Sequence, residues 1–267
     1  MAEASAPFAA ELRVARQAAG EAAALLLARA GAEDVQEKAR ADLVTPVDLA
    51  SERTILERVR GAFPGHAIIA EESAAPMEIA GPTWIVDPLD GTVNYVHGHP
   101  FACVSIALWD VRGPAVGVVH APFLGEVFHA VRGRGAFLNA QPIRVSAVTR
   151  GEATLLATGF PFKSGKGDPE AFFRLVAELV ASTHGVRRAG AAALDLAYVA
   201  AGRVDGFFEI GLSPWDMAAG ALLVLEAGGT VTGWPGDEAP PIRTGRVIAT
   251  NGATHAWLLE RVAHYGL

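Results

Sequence analysis

Five carboxylates fall into three short phrases: Glu71-Glu72, Asp87-Pro88-Leu89-Asp90-Gly91-Thr92 and Trp215-Asp216. Each stands where an apolar run gives way to small or turn-forming residues, a pattern that suits a divalent cation handling phosphate. The middle phrase is the most specific. Trp84-Ile85-Val86 reads as a short strand, and Asp87-Pro88 is expected to end it because proline fixes φ and removes a ladder donor. Asp87 and Asp90 then stand three residues apart across a turn, so both side chains and the Leu89 carbonyl can point into one small volume. Oxygen-only donors of this kind suit a hard cation such as Mg²⁺. Gly91 lets the backbone approach a ligand closely, and Thr92 offers a hydroxyl and an N–H at a helix start, where anions bind well.

Each phrase also has a plainer structural reading. Asp-Pro and Asp-Gly are common loop punctuation. Ser213-Pro214-Trp215-Asp216 fits a helix start with Ser213 at N-cap and Asp216 at N3, a pattern that requires no metal. Thr45-Pro46-Val47-Asp48 opens another helix, where Asp48 serves as cap, base or both. Crowding favours the chemical reading. At roughly 4 Å and an effective dielectric near 20, each like-charge pair costs about 4 kcal/mol, which a bound cation would offset.

The elements that must position these groups can be read coarsely from periodicity. Helices are expected over about 8–30 and 46–60, then strands near 66–71, 83–87, 101–109, 115–121 and 126–138. A run of strands without intervening helices indicates a mainly antiparallel sheet covered by helices, an α+β layout. The second half alternates. Asp168-Pro169 starts a helix to about Ser182, Ala191–Ala201 is another, Val204–Glu209 is a strand, and Ser213–Ala227 and Thr254–His264 are further helices. No Pro/Ser-rich linker or repeat divides the 267 residues, and 51% hydrophobic content supports a large core. One catalytic unit over 1–267 is expected, with lobes of about 1–145, sheet plus helices, and about 146–267, an α/β lobe.

The chain resembles the inositol monophosphatase family of Mg²⁺-dependent phosphatases. The resemblance is carried by Asp42 to Asp48, Glu71-Glu72-Ser73, Trp84 to Gly98, Trp215 to Gly220 and Glu226-Ala227-Gly228-Gly229, and Gly133 to Asn139 with Pro142-Ile143 looks like that family's central hairpin. It implies an α-β-α-β-α sandwich with the site between its halves. It further implies two or three Mg²⁺ ions, replaceable by Mn²⁺, held by Glu71, Asp87, the Leu89 carbonyl, Asp90 and Asp216, with Glu72 as a supporting carboxylate. By the same resemblance, Thr92 orients a metal-activated water that attacks phosphorus directly, Asp48 accepts the threonine hydroxyl, and Glu71 helps as base. Gly91 and Thr92 would hold phosphate oxygens. Gly190, Ala191, Ala192, Glu209 and Asp216 would touch the alcohol, with Arg187 nearby. Ser or Thr is frequent in the family where Ala191 stands here, which leaves the alcohol open. The loop from Phe162 to Gly167 either brings a lysine to the pocket mouth or is a solvated basic turn.

The reaction implied is hydrolysis of a small phosphate monoester, myo-inositol monophosphate first, with inositol and inorganic phosphate as products. Fructose 1,6-bisphosphate, histidinol phosphate and 3′-phosphoadenosine nucleotides are competing substrates within the family. A different class of reading is a non-catalytic regulatory protein that uses the same fold to bind a partner. The Asp-Gly-Thr string also invites comparison with haloacid-dehalogenase phosphatases. In this chain, however, the position of the nucleophilic aspartate is occupied by Pro88, which cannot attack phosphorus.

Other signals exclude more than they add. A net charge of −7, with 29 acids against 22 bases, argues against a nucleic-acid polymer as partner. His97-Gly98-His99 lacks the spacing and companion cysteines of a zinc site. Cys103 lies in an apolar run and reads as a buried strand thiol. One cysteine permits no intramolecular disulfide and fits a reducing cytoplasm. Charges within the Ala/Leu-rich stretch 8–30 argue for an amphipathic helix over a signal or membrane span. The family further implies a homodimer and sensitivity to lithium.

Overall fold

The computed structural model describes residues 7–29, 34–39, 42–73, 78–161 and 168–267. Helix α1 (Ala9–Ala28) buries Val14, Ala15, Ala18, Ala22 and Leu26 along one face. A hairpin of β1 (Gln36–Ala39) and β2 (Asp42–Val44) leads into α2 (Pro46–Ala62). The next segment builds a seven-stranded sheet. Its strands are β3 (Ala67–Ala70), β4 (Thr83–Asp90), β5 (Cys103–Asp110), β6 (Gly113–Ala121), β7 (Glu126–Val131), β8 (Ala136–Leu138) and β9 (Gln141–Ile143), with the short helix α3 (Thr92–Val96) after β4. They lie in sequence order; β3 and β4 are parallel and every other pair is antiparallel.

A second sheet follows, with β10 (Leu155–Thr158), α4 (Pro169–Ser182), β11 (Gly185–Arg187), α5 (Ala192–Ala200), β12 (Gly206–Ile210), α6 (Pro214–Glu226), β13 (Thr230–Thr232), α7 (Pro241–Thr244), β14 (Arg246–Thr250) and α8 (His255–His264). Its strand order is β11-β10-β12-β14-β13, parallel on the first two contacts and antiparallel on the last two.

Period-two burial sets the layers. In β5, Val104, Ile106 and Leu108 pack towards α1 and α2, whereas Cys103 and Ala107 join α5 and α6 on the opposite face. In β12, Phe207 points to α5 and α6 and Phe208 to α4 and α8. Helices therefore cover both outer faces, and α5 and α6 fill the space between the sheets. This is the expected α-β-α-β-α sandwich, and its central helices are apolar nearly all round because both sides are buried.

One expectation about the local structure is corrected. Asp87-Pro88 does not end its strand; β4 runs on to Asp90, pairing Asp87 with Ser105 and Asp90 with Cys103 across a break in register. The break places Pro88 and Leu89 in a bulge, which accommodates a residue without an N–H and turns neighbouring side chains out of the regular ladder. Ser51 of α2 anchors the bulge by donating to the Pro88 carbonyl at 2.8 Å. The run expected as one strand over 126–138 is also two strands, β7 and β8, joined by a turn through Gly133-Arg134-Gly135.

That turn gives the Glu226-Ala227-Gly228-Gly229 phrase a structural role. The Glu226 carboxylate at the end of α6 accepts the amides of Gly133 at 2.7 Å, Arg134 at 3.0 Å and Gly135 at 2.8 Å. The three amides form an anion-binding nest that is filled by the protein's own side chain. Glu226→Ala would leave them without a partner. We expect it to lower unfolding stability by about 1–3 kcal/mol in urea melts, with phosphate release per folded molecule unchanged.

Candidate active site

The bulge in β4 brings the acids together. Carboxylate oxygens of Asp87, Asp90 and Asp216 lie within 4.8 Å of one another. Asp87 and Asp90 come from one strand; Asp216 comes from the first turn of α6, where it also accepts the Ser213 amide at 2.6 Å. The capping reading and the site reading of Asp216 are thus both realised by one side chain. Glu71 follows β3, donates its amide to the Val86 carbonyl at 3.2 Å, and its carboxyl hydrogen-bonds Asp87. The Glu72 amide is held by Glu52 at 2.8 Å.

This clustering is electrostatically unfavourable on its own. Burial, then the charges of Glu71, Asp90 and Asp216, push the Asp87 carboxyl well above the usual range. Asp90 is pushed up to about 7 by burial and by Asp216, against the opposing pull of the Ala193 amide. That amide belongs to α5, whose N-cap, Ala191, has no side-chain oxygen. Asp90 supplies the cap from another strand, with Oδ2 accepting Ala193 N at 2.8 Å. The donors are all oxygen, tightly spaced, and mutually repelling unless a cation joins them. They therefore fit a hard divalent ion.

Beside the acids the chain turns through Gly91, whose φ of +88° disfavours a side chain and where a Cβ would fall 2.9 Å from the Phe101 carbonyl oxygen. Thr92 follows as the first residue of α3. Its hydroxyl lies 3.2 Å from Asp48 Oδ1 and 3.0 Å from the Leu89 carbonyl, so its one proton is shared between two acceptors. Asp48 is fully buried and holds the start of α2, with Oδ2 accepting the Thr45 amide at 2.8 Å and the Thr45 hydroxyl at 2.5 Å. Burial raises the Asp48 carboxyl, and these hydrogen bonds oppose it. Cap and site partner are one residue here too.

A cavity of about 330 Å³ opens next to the cluster. Gly91, Thr92, Gly190, Ala191 and Ala192 form one wall, and Glu209, Gly211 and Asp216 form another. Burial first, and then Asp216 and Asp195, push the Glu209 carboxyl far up, while Arg188 pulls it down. Gly159 makes room for it, since a Cβ there would fall 2.0 Å from Glu209 Oε1. Asn94 fastens the two edges by donating to the Phe101 carbonyl at 2.7 Å and the Ala189 carbonyl at 2.8 Å.

Two residues around the cavity, Arg188 and Asp195, escaped the sequence reading. Arg188, not Arg187, lines the pocket, with its guanidinium 5.6 Å from the Phe160 ring. Arg187 is exposed at the end of the edge strand β11, and Arg188 is the residue that follows it as the chain leaves the strand for the cavity wall. Asp195 is buried on α5 near Asp90 and Arg188. Its signal was available, as it is the only charged side chain in the run from Ala191 to Ala201. Cys103 lies 3.7 Å from Asp90 Oδ2, buried beneath the cluster, and its thiol is held protonated by that burial. His97 and His99 are exposed, and His99 Nδ1 accepts the Phe101 amide at 3.3 Å. The loop 162–167 lies outside the described residues.

The layered fold and its carboxylate site define a phosphoric monoester hydrolase of a metal-dependent class. The family description "inositol monophosphatase family" matches residues 9–267, and the chain belongs to that family. It is 45% identical to an inositol-1-monophosphatase of Synechocystis over 86% of this chain and 80% of that one. It is 47% identical to the Nus factor SuhB of Pseudomonas aeruginosa over 94% of this chain and 93% of its relative. Among solved structures, the inositol monophosphatase of Anabaena matches with a TM-score of 0.83 at 42% identity, covering 95% of each chain. Among the described residues no helix is long and apolar enough to cross a membrane.

Proposed function

We propose that this chain hydrolyses the phosphate ester of a small polyol, with myo-inositol monophosphate as first choice. The observation that carries the reading is the meeting of Asp87, Asp90 and Asp216 within 4.8 Å at the mouth of a cavity walled by Gly91, Thr92 and Glu209. Two or three Mg²⁺ ions, or Mn²⁺ in their place, would be held by Glu71, Asp87, the Leu89 carbonyl, Asp90 and Asp216. Bound there, such ions neutralise phosphate charge and make water acidic enough to serve as a nucleophile near neutral pH. The protein's own groups do the positioning. Asp48 fixes the Thr92 hydroxyl, Thr92 orients the attacking water, and Glu71 accepts its proton. The Gly91 and Thr92 amides hold phosphate oxygens as charge builds on them. Glu209 accepts hydroxyls of the alcohol, Arg188 balances its charge, and Gly190 to Ala192 leave space for the ring.

In this reading the chain works as one catalytic unit of two lobes, as a cytoplasmic homodimer, and is inhibited by lithium. Fructose 1,6-bisphosphate, histidinol phosphate and 3′-phosphoadenosine nucleotides are the competing substrates. The discriminating experiment is a phosphate-release panel over these four compounds with Mg²⁺ titrated and lithium added. Inositol monophosphate is expected to give the highest kcat/KM, and Glu209→Gln to raise its KM by about tenfold, the loss of one good hydrogen bond to a hydroxyl. Release that is independent of Mg²⁺ would sink the assignment.

A second reading has its own support, since the Pseudomonas relative at 47% identity carries the name of a Nus factor. A binding role for a protein partner would then exist beside the catalytic one. Full activity of the isolated chain on inositol monophosphate favours the enzyme, whereas a folded but inactive wild type favours the binding protein.

A further inference from the structure

A second cavity, of about 1020 Å³, lies on the opposite side of the first sheet from α5 and α6. Helix α1 packs mainly over β5 and β6 and only grazes β7, so the same face of β7 and β8 is partly covered, with His129 and Val131 buried and Phe137 half-buried. Period two places Val127, His129 and Val131 on that face, with Phe137 opposite His129 in register. The His129 and Phe137 rings stack at 5.3 Å and 14°, giving the floor a flat aromatic step between aliphatic side chains. The rim is cationic. Arg13 and Arg16 stand one turn apart on α1, and Arg134 comes from the β7–β8 turn. Among the described residues none of the three makes an ion pair and no acid lines the cavity.

Unpaired arginines over an apolar floor are unexpected in a chain of net charge −7. Some arginines on this surface are matched, as Arg132 with Asp110 and Arg203 with Glu126; what sets Arg13, Arg16 and Arg134 apart is that they converge on one apolar cavity. We propose that this cavity is a second ligand site, separate from the phosphatase centre, which takes a small amphipathic anion: an apolar or aromatic body on the floor and a phosphate or carboxylate at the arginines. Its mix of apolar lining and a few charged groups is that of small-molecule pockets, and guanidinium is the side chain suited to such anions.

The test uses the full chain with EDTA present, so that the acid cluster repels anions from the first cavity. The probe is 8-anilinonaphthalene-1-sulfonate, whose fluorescence reports binding, displaced by dodecanoate in one arm and adenosine monophosphate in the other. Inorganic phosphate serves as the headgroup control. One of the two organic anions is expected to displace the probe at least roughly tenfold more effectively than inorganic phosphate, since the floor adds to the charge. Arg13→Glu/Arg16→Glu, on an exposed helix face, should weaken that binding by roughly tenfold or more. The same variant should release phosphate from inositol monophosphate at the wild-type rate. Failure of both organic anions to displace the probe, or displacement unchanged in the double variant, would overturn the proposal. So would binding of an acidic peptide to this face with neither small anion competing.

Discussion

Asp90→Asn is expected to reduce phosphate release by at least about 10³-fold, or about 4 kcal/mol of transition-state stabilisation, while leaving the chain folded. Two roles meet in this side chain. Its Oδ2 caps α5 through the Ala193 amide, and its charge belongs to the cluster with Asp87 and Asp216. Asparagine keeps a carbonyl oxygen for the cap but removes the charge that a hard cation requires. Asp90→Ala removes both, and a lost cap adds about 1 kcal/mol of destabilisation. The two variants should therefore be equally inactive and unequally stable. Activity assays with Mg²⁺ and thermal melts without it separate the roles. Asparagine retaining more than a tenth of wild-type activity would show that the cluster is not where the chemistry occurs.

The sequence made the site legible because each ligand phrase also punctuates local structure. Asp48 and Asp216 sit at the N3 positions of helices opened by Thr-Pro and Ser-Pro, so local capping rules place them before any tertiary contact is known. The layered α+β fold followed from a run of strands and then alternating elements. What stayed hidden depends on contacts between distant residues. The bulge at Pro88 could not be told from a strand end, since proline is compatible with both and only the resumed pairing of Asp90 with Cys103 decides. The cap on α5 comes from a residue 103 positions earlier, so no local rule could supply it. Glu226 and Gly133-Arg134-Gly135 were recognisable as phrases without any hint that one binds the other. The choice between Arg187 and Arg188 turned on where the edge strand β11 ends, since Arg187 is its last residue and Arg188 the first of the segment that lines the cavity. Strands β13 and β14 were missed, and length alone does not account for it, since β14 is as long as β12, which was read.

The metal-free chain is expected to lose stability as pH rises, and divalent cation to restore it. Asp90 titrates at about 7 in the folded chain against 3.8 when unfolded, and Asp87, Asp195 and Glu209 are shifted in the same direction, chiefly by burial. Between those limits the folded state binds more protons than the unfolded one, so the stability these carboxylates contribute is greatest below about pH 4 and is lost as pH rises through 7. For Asp90 alone the full decline is on the order of 4 kcal/mol. His120, His129 and His255 act in the opposite sense, because burial holds them below 6.5 and the unfolded chain takes up their protons first. Their effect ends near pH 6.5, so the carboxylates govern the slope from there upward, where Asp90 contributes about 1 kcal/mol. Asp110, held down by Arg132, matters only below the ordinary aspartate range. Urea melts at pH 6.5, 7 and 8 with EDTA should show the fall. Mg²⁺ at a hundred times its dissociation constant should return about 2.7 kcal/mol, with an affinity that increases with pH as protons leave the cluster. Asp90→Asn should flatten the slope and shrink the Mg²⁺ effect together, because both arise from the same crowded charges. A metal-free chain equally stable at pH 6.5 and 8, or a Mg²⁺ affinity unchanged over that range, would mean that these carboxylates do not share a proton-linked cation site.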